Sequence, residues 1–504
     1  MAIYFCLLGG NNNGGSWNNL GSNGNFWSSS QNDASNAWKR NLNLTNAQVN
    51  RNNNDKTNGF SVRCLKNWFG IDREEKLMVK SQVITEKTKD SQLLEDLFKA
   101  YYAARKNKRN TKGALEFEVE YEENIFALRD EIRDRTYTPG KLTAFIVNKP
   151  VKREIFASQF KDRVVHHLLF NYLNPIFDPL MINDSYSCRN EKGTSYGIKR
   201  VAHFTRACSN NFKEDSYILK LDIQGYFMTI NKERLFKIIS KNLIRLEDKL
   251  VVDLDLIMFL LKKIIFKDPV LGCIVKSKSG AWQDLPKHKS LFFAGKNKGL
   301  PIGNLTSQLF ANIYLNEFDQ FVKRIVKIRY YGRYVDDMVF VSKDKVRLKA
   351  FIAQARWFLW HDLGLKLHPK KIYFQLVKKG FSFLGVVIRP YRLLMGKRIK
   401  GNFYKKIYYY QRYLSLEKIL KSDSSSQNKL IIKLVSVINS YLGMMVHYSS
   451  YKLRKKLTDL ICLIYKGVLT KDKEYKKINI LKRKIKELDE PTLIIHLSTS
   501  QKSI

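Results

Sequence analysis

The chain has 504 residues, with 89 Lys and Arg against 46 Asp and Glu, and a formal net charge of +43. A surplus of this size favours a polyanionic partner, either a nucleic acid or an anionic membrane surface. Aromatic residues make up 12% of the chain, which favours the nucleic acid because bases stack on flat side chains. The six cysteines are scattered without a C-x-x-C pair, which argues against a disulfide framework or a zinc site and is typical of a reducing cytoplasm.

Neither a membrane span nor a leader is predicted. We find no run that approaches the ~18 apolar residues of a spanning helix. The apolar start, residues 1–8, lacks a basic region and stops at Gly9, so it differs from a signal peptide. We therefore expect a cytoplasmic protein without a membrane partner.

Residues 1–66 differ in composition from the rest of the chain. They are rich in Asn, Gly, Ser and Trp and poor in Lys and aliphatic residues. Such a stretch buries little apolar area, so we expect a poorly ordered extension.

The next block, residues 67–215, has the apolar periodicity of amphipathic helices. Residues 145–156 within it are interpreted either as two short strands or as a basic loop. Adjacent His166 and His167 point about 100° apart on a helix, so a shared metal-binding role is not expected. The helices are predicted at 91–106, 117–135 and 161–173.

The remaining chain is predicted to form three further blocks. In residues 216–390 strands alternate with helices, an α+β pattern that places acids at strand ends. Residues 391–470 are predicted to be helical, and residues 471–504 to form a basic tail that is a charged helix or a solvated arm. The helices of the second of these blocks are predicted at 402–421, 428–441 and 450–465.

Two strand ends carry the acids of greatest interest. Asp336 and Asp337 lie between two short runs of β-branched and aromatic residues, a pattern that predicts a hairpin. Asp222 ends another strand-like run, which starts at Tyr217. A lone pair of acids in a turn is usually just solvated. Acids from two strand ends that meet can instead bind divalent cations.

Phosphoryl transfer onto a 3′-hydroxyl requires such a site. One metal ion lowers the pKa of the attacking hydroxyl and a second neutralises the triphosphate. Magnesium prefers a few hard oxygen ligands. Asp222, Asp336 and Asp337 would supply them together with the carbonyl of Ile223, and Mn²⁺ is the expected substitute for the two Mg²⁺ ions.

Five motifs occur in a fixed order along the chain, and their order and spacing resemble the palm motifs of reverse transcriptases. The resemblance implies an RNA-directed DNA polymerase with a right-hand fold: fingers over 67–215, a palm of antiparallel sheet packed on helices over 216–390, and a helical thumb over 391–470. The motifs are residues 222–227, 299–308, 334–337, 364–371 and 383–385.

The same resemblance assigns roles to individual residues. Asp222, Asp336 and Asp337 match the metal-binding carboxylates. Phe227 matches the aromatic that blocks a ribose 2′-hydroxyl, although taken alone it would be an ordinary core Phe. The family's primer grip matches a later turn, formed by Leu384 and Gly385.

Basic residues are assigned to the phosphates. Lys371 matches the lysine that protonates the departing pyrophosphate as a general acid, with a solvated surface Lys as the alternative. Lys149 and Arg153 match the basic residues on the incoming triphosphate, which Arg can bind with a bidentate fork.

One loop indicates which kind of reverse transcriptase this is. Many members have Gln and Pro where this chain has Ile302 and Gln308. With Gly303 between them, these residues resemble the nucleotide-binding loop of diversity-generating retroelement enzymes, which copy template adenines with errors. The resemblance implies template RNA, cDNA, RNA–DNA hybrid and dNTPs as partners, together with a small basic accessory variability protein.

The start of the chain supports the same kind of element. Residues 14–19, 26–29 and 58–64 resemble the C-terminal end of a C-type-lectin-fold variable protein, which the template repeat of such an element encodes. We expect a reading frame that runs through the repeat, with the working enzyme starting near Met78. A genuine low-complexity arm is the alternative.

Other reverse transcriptases remain as alternatives. A group II intron-like enzyme shares the palm but usually adds DNA-binding and endonuclease segments. Retron and defence-associated enzymes share it as well. From a different functional class, a non-catalytic RNA-binding protein could use the same scaffold.

Overall fold

The computed structural model describes residues 11–13, 16–18, 23–31, 33–43, 46–55, 82–106, 108–148, 151–419 and 424–481. The chain divides into two units, Met1–Ile84 and Thr85–Ile504.

The first unit contains antiparallel strands where the sequence predicted poor order. β1 (Asn11–Asn13) pairs with β2 (Ser16–Asn18). A three-stranded sheet has the order β3 (Asn23–Gln31), β4 (Asn36–Asn43) and β5 (Asn46–Asp55). Between β3 and β4 the Asp33 carboxylate accepts hydrogen bonds from the backbone N–H groups of Ser35 and Asn36, at 2.8 and 2.7 Å. Composition limits how much apolar area a segment can bury, whereas a ladder of this kind is held by backbone hydrogen bonds.

The second unit combines helices with short antiparallel sheets. Its helices are α1 (Gln82–Arg105), α2 (Lys112–Val119), α3 (Tyr121–Arg133), α4 (Phe160–Phe177), α5 (Thr194–Cys208), α6 (Tyr226–Thr229), α7 (Lys232–Arg245), α8 (Leu254–Phe266), α9 (Leu305–Gln320), α10 (Lys345–His361), α11 (Lys397–Ile419), α12 (Ser424–Val446) and α13 (Tyr451–Ile464). Its strands are β6 (Thr143–Val147), β7 (Arg153–Ala157), β8 (Tyr217–Leu221), β9 (Ile274–Val275), β10 (Tyr330–Tyr334), β11 (Asp337–Ser342), β12 (Tyr373–Leu376), β13 (Phe381–Phe383), β14 (Val386–Arg389), β15 (Arg392–Met395), β16 (Leu469–Lys471) and β17 (Ile478–Ile480).

The central sheet has the order β10-β11-β8-β12, and all of its pairings are antiparallel. Helices α9 and α10 pack beside it. One apolar core extends from Leu93 to Leu367 and runs through both the expected fingers and the expected palm. The α+β class and the antiparallel palm are therefore confirmed.

The helix predicted over residues 117–135 is two helices, α2 and α3. The chain breaks at Glu120, whose φ of −128° and ψ of 49° are not helical. The Asn124 side chain donates to the Phe117 carbonyl at 3.2 Å and satisfies one end of α2. A continuous apolar period hides such a break. The two short strands proposed within 145–156 are present as β6 and β7, and they pair antiparallel.

The thumb includes a hairpin that the sequence did not predict. The segment from residue 471 was expected to start a charged helix or a solvated arm, but β16 and β17 pair antiparallel. Leu469 and Ile478 are buried in the same core as helices α11 to α13. The Asp472 carboxylate accepts from the backbone of Lys476 and Lys477 and closes the turn. Residues 482–504 of the expected tail lie outside the described residues.

Helix α12 corrects the expectation that no run is long and apolar enough to span a membrane. In the part of the chain that the structure describes, residues 429–446 meet that test by length and composition. The helix packs Leu434, Ile438 and Leu442 into the thumb core. One face of the helix thus packs with α11 and α13 in this core, and 33% of the 429–446 stretch is buried.

Candidate active site

The hairpin that carries the paired acids is formed by β10 and β11. Tyr334 pairs with Asp337, so Val335 and Asp336 form the turn. Val335 has a φ of +55°, a left-handed conformation that is unfavourable for a β-branched residue. The Arg333 guanidinium donates to the Val335 carbonyl at 2.9 Å. The buried Arg333 side chain thus stabilises the strained turn.

Arg333 belongs to a buried polar network that sequence reasoning missed. It forms an ion pair with Asp319 at 2.7 Å, and both side chains are 0% exposed. The Tyr331 hydroxyl donates to the same carboxylate at 2.6 Å, and Asn312 accepts from Arg333 at 3.2 Å. Burial alone would lower the pKa of Arg333, but the Asp319 charge outweighs burial and raises the pKa above its usual range. A charged residue inside a strand that otherwise looks buried was the available signal.

The third acid comes from the neighbouring strand. Leu221 on β8 pairs with Met338 on β11, and continuing that register by one residue places Asp222 opposite Asp337. Burial and the Asp222 charge raise the pKa of Asp336 to about 6. Burial raises the pKa of Asp337 as well, although Lys220 opposes that rise. The sheet thus brings the three acids together, while their metal-binding role stays a prediction.

Two lysines contact these acids. The Lys371 Nζ lies 3.0 and 2.9 Å from the two Asp222 carboxylate oxygens. The Lys220 Nζ lies 3.6 Å from an Asp337 oxygen. Lys371, expected on the pyrophosphate, therefore contacts the Asp222 carboxylate, and sequence reasoning missed Lys220.

The donor set fits a hard divalent cation. Among the residues that the structure describes, no three His, Cys, Asp or Glu side chains form a metal-binding group. Carboxylate oxygens are nevertheless the ligands that Mg²⁺ prefers. Repulsion from Asp222 contributes to the raised pKa of Asp336, and a bound cation would relieve that repulsion. Ile223, proposed as a carbonyl ligand, is buried and lies in a bridge with Leu367.

The expected nucleotide-binding residues of the palm lie close together. Phe227 is half-buried, and its carbonyl accepts from the Leu300 N–H at 2.8 Å. Ile302 packs in the same apolar cluster as Phe227. The structure thus places the loop that precedes α9 beside Phe227.

The two other residues of this loop differ in exposure and constraint. Gly303 has a φ of +134°, and a Cβ there would lie 2.9 Å from the Phe156 carbonyl oxygen of β7. The Ile302 carbonyl accepts from the Phe156 N–H at 2.9 Å. A side chain at position 303 would therefore displace the loop from the fingers hairpin. Gln308 is exposed in the first turn of α9.

The fingers hairpin presents one of its two expected phosphate ligands. Arg153 is exposed at the start of β7. Lys149 lies outside the described residues. The next residue, Glu154, is buried and accepts from Trp282 Nε1, Ser290 Oγ and the Leu291 N–H at 2.6, 2.7 and 2.6 Å. Sequence reasoning missed this anchor, because its partners lie far along the chain.

Glu154 holds a segment, residues 268–298, that also reaches the palm. β9 of this segment pairs parallel with β6. Further along, a Cβ at Gly225 would lie 2.3 Å from the His288 carbonyl oxygen, and Gly225 has a φ of +58°. The His288 and His368 rings lie 6.5 Å apart. The segment thus connects the fingers hairpin with the loop that follows Asp222.

The expected primer grip is a two-residue turn between β13 and β14. Leu384 and Gly385 have φ values of +48° and +85°, as in the tight turn typical of hairpins. Leu384 packs in the same apolar cluster as Tyr334. The turn therefore packs on the same cluster as Tyr334, the residue that closes the tip of the hairpin with the paired acids.

His166 is a buried core residue. Its ring nitrogens lie 3.1 Å from Ser158 Oγ and 2.8 Å from Thr306 Oγ1. Burial lowers its pKa to about 3. Both nitrogens have a hydroxyl partner, so His166 is held in place by hydrogen bonds within the core.

Comparison with known proteins gives a consistent result. Residues 148–388 match the family model for "Reverse transcriptase (RNA-dependent DNA polymerase)". Protein YkfC of Escherichia coli (strain K12) is 25% identical over 292 residues, which cover 51% of this chain and 69% of that protein. The group II intron-encoded protein LtrA of Lactococcus lactis subsp. cremoris is 24% identical over 235 residues, 45% of this chain but only 34% of LtrA.

Among solved structures, an apo telomerase from Candida Tropicalis is similar with a TM-score of 0.37 and 15% identity, over 51% of this chain and 55% of the telomerase. The family match covers all five motifs, from residue 222 to residue 385, together with strand β7. Residues 148–388 therefore form a reverse transcriptase domain with the right-hand polymerase fold, the domain of RNA-directed DNA polymerases.

Proposed function

We propose that this protein copies a template RNA into cDNA by metal-assisted nucleotidyl transfer at Asp222, Asp336 and Asp337. The observation that carries the proposal is the convergence of these acids at one edge of the sheet, where burial and, after it, the Asp222 charge raise the pKa of Asp336 to about 6. Structural acids are usually paired with cations well enough to keep their pKa low. Acids that repel one another at a strand end are more typical of a functional site.

In this proposal the acids and the side chains around them have separate roles in metal binding, proton transfer and nucleotide binding. Two divalent ions, Mg²⁺ or Mn²⁺, would be held by the three carboxylates and would activate the 3′-hydroxyl and neutralise the triphosphate. Lys371 would leave Asp222 as the metal site fills, and its ammonium would then be free to donate a proton to the pyrophosphate. Phe227 and Ile302 would bound the base and sugar of the incoming dNTP.

The test is primer extension on an RNA template with D336N and D337N. Asn keeps the shape of the side chain and removes the charge, so we expect a loss of activity of about 100- to 1000-fold, the scale of removing one catalytic electrostatic group. RNA binding should stay unchanged. The matched control is D215N, at the opposite end of β8, where Asp215 forms an exposed ion pair with Lys378. Extension by D336N at the wild-type rate would contradict the proposal and favour a non-catalytic RNA-binding protein.

We further propose that the enzyme belongs to a diversity-generating retroelement and misincorporates opposite template adenines. The supporting observation is that Ile302 lies in the apolar cluster of Phe227, where it offers no hydrogen bond to hold base-pair geometry. The proposal includes a small basic accessory protein as partner and a cytoplasmic location. It also includes a reading frame that runs through a template repeat upstream of Met78.

Sequencing of cDNA made by wild type and I302Q tests the choice between element types. We expect errors concentrated at template adenines in wild type and fewer of them in I302Q. The similarity to LtrA favours a group II intron-like enzyme as the second candidate. Errors spread evenly over the four template bases would support that candidate. Peptides from residues 1–66 in the native protein, detected by mass spectrometry, would contradict translation from a start near Met78.

A further inference from the structure

An exposed aromatic surface lies at the C-terminal end of α10. We call it the α10 surface and define it by Arg356, Trp357, Trp360, His361 and Lys366. Trp357 is 60% exposed and Trp360 55% exposed. Residues three apart face the same side of a helix, so the two indoles form one patch. Large exposed aromatic patches are costly in water and usually mark a binding surface.

Both indoles are already held from one side. The His361 ring stacks on Trp357 at 4.8 Å with an angle of 9° between planes. The Lys366 ammonium lies 4.8 Å from the centre of the Trp360 ring. The His361 carbonyl accepts from Arg234 at 2.9 Å, which ties the end of the helix to α7. The rings are thus ordered before any ligand binds, and ordering in advance lowers the entropy cost of stacking.

The charge of the patch favours a polyanion. Within the described residues, Lys349, Arg356 and Lys366 form no ion pair. The acid of the patch, Asp362, contacts His361 at 3.2 Å. Further along α10, Lys349 lies 5.6 Å from the Phe374 ring of β12. Alternating cations and aromatic rings are the arrangement by which proteins bind unpaired nucleic acid.

The patch borders the catalytic strand. The Lys366 carbonyl accepts from the Gln224 N–H at 2.9 Å, and Gln224 lies two residues after Asp222. A strand that reaches the active-site edge of the palm therefore passes within reach of the patch. An apolar protein partner would leave the unpaired cations without a counter-charge, whereas an RNA strand would contact the cations with its phosphates and the rings with its bases.

We propose that the α10 surface stacks unpaired bases of an RNA strand outside the copying site. This RNA contact goes beyond polymerisation, because none of its residues contacts the catalytic acids. It predicts a preference for single-stranded over duplex RNA at this surface, since bases inside a duplex cannot reach the rings.

The experiment uses the full chain, the double variant W357A/W360A, and an unstructured RNA that contains photoreactive uridine. We expect the wild type to cross-link within residues 357–366 and the variant to lose that cross-link. The affinity for unstructured RNA should fall about ten-fold, the scale of one lost base stack. The affinity for blunt duplex RNA should stay within about two-fold of wild type, because a duplex offers no unpaired base to stack. The rate of extension of a short primed template should also stay within about two-fold.

Two controls separate stacking from folding. V346A removes a side chain that is 78% exposed on the same helix and should leave cross-linking unchanged. W357F/W360F keeps flat rings and should restore most of the cross-link. No cross-link in wild type, or equal losses for single-stranded and duplex RNA, would overturn the proposal. The proposal would also be overturned if a partner protein required both tryptophans for binding while RNA did not. In D336N the cross-link should persist although extension is lost, which distinguishes this proposal from the proposed function.

Discussion

At the scale of single residues, the acids were predictable but their surroundings were not. Asp222, Asp336 and Asp337 follow from strand patterns and from the resemblance, and the sheet register brings them together. The contacts of Lys220 and Lys371 depend on which side chains neighbouring strands present, which a single sequence does not encode locally.

The raised pKa of Asp336 predicts a pH-dependent stability. In the folded protein it is about 6 against 3.8 for the free side chain. The folded state therefore holds this proton more tightly than the unfolded chain, and stability falls as pH rises through this interval. At about pH 7.5 and without metal, D336N should be about 3 kcal/mol more stable than wild type, and the difference should vanish below about pH 4.

Urea unfolding at the two pH values measures this difference, with D215N as the control. Added Mg²⁺ should stabilise wild type and not D336N, because only the carboxylate form binds the ion. A D336N variant that is less stable than wild type at neutral pH would show that Asp336 is favourably paired.

Replacing Lys371 should change the affinity for Mg²⁺ and the maximal rate in opposite directions. Its ammonium contacts both Asp222 oxygens and therefore competes with a cation there. In K371M we expect half-maximal activity at a several-fold lower Mg²⁺ concentration. The maximal rate should fall about 100-fold or more if Lys371 is the general acid. Primer extension over a Mg²⁺ titration measures both values, and K370M, at the exposed neighbour, is the control. An unchanged maximal rate would show that Lys371 only neutralises Asp222 when no metal is bound and is not the general acid.

At the scale of elements, periodicity located the helices but not the contacts between distant segments. The helix expected at 161–173 is α4, and the one at 450–465 is α13, each with ends shifted by a few residues. The β16–β17 hairpin was missed because its strands are short and are stabilised by the thumb core. The connection from Glu154 to residues 282–291 was missed for a different reason, because it joins segments more than a hundred residues apart.

Replacing Glu154 should loosen the segment that its carboxylate holds, residues 282–291. In E154Q an amide N–H₂ replaces one of the acceptor oxygens and faces buried donors, which should destabilise the protein by about 1–3 kcal/mol. Hydrogen exchange should accelerate in residues 282–291 and change little in α9. E116Q, at an exposed position of α2, is the control. Uniform acceleration over the whole palm would show that the anchor supports global folding instead.

At the scale of the whole molecule, the net charge of +43 pointed to a polyanion before any motif was identified. Charge gives the class of partner and no geometry. The path of the RNA depends on where the rings and cations lie, such as those of α10.

The surplus of positive charge predicts steep salt dependence. RNA affinity should fall about 100-fold between ~50 and ~200 mM salt, as expected for about five phosphate contacts. Filter binding over a salt series measures the slope, and W357A/W360A should lower the affinity without changing the slope. A loss under ten-fold over this range would show that few of the lysines meet phosphate.

Helix α9 has a mechanical consequence. It starts directly after the loop of Ile302 and Gly303, and Asp319 at its far end holds the Arg333 side chain that supports the turn of Val335 and Asp336. A helix of this length is a stiff rod of about 24 Å. In the proposed function this loop bounds the incoming nucleotide, so a nucleotide that displaces the loop would, through α9 and Arg333, also displace the turn that carries Asp336.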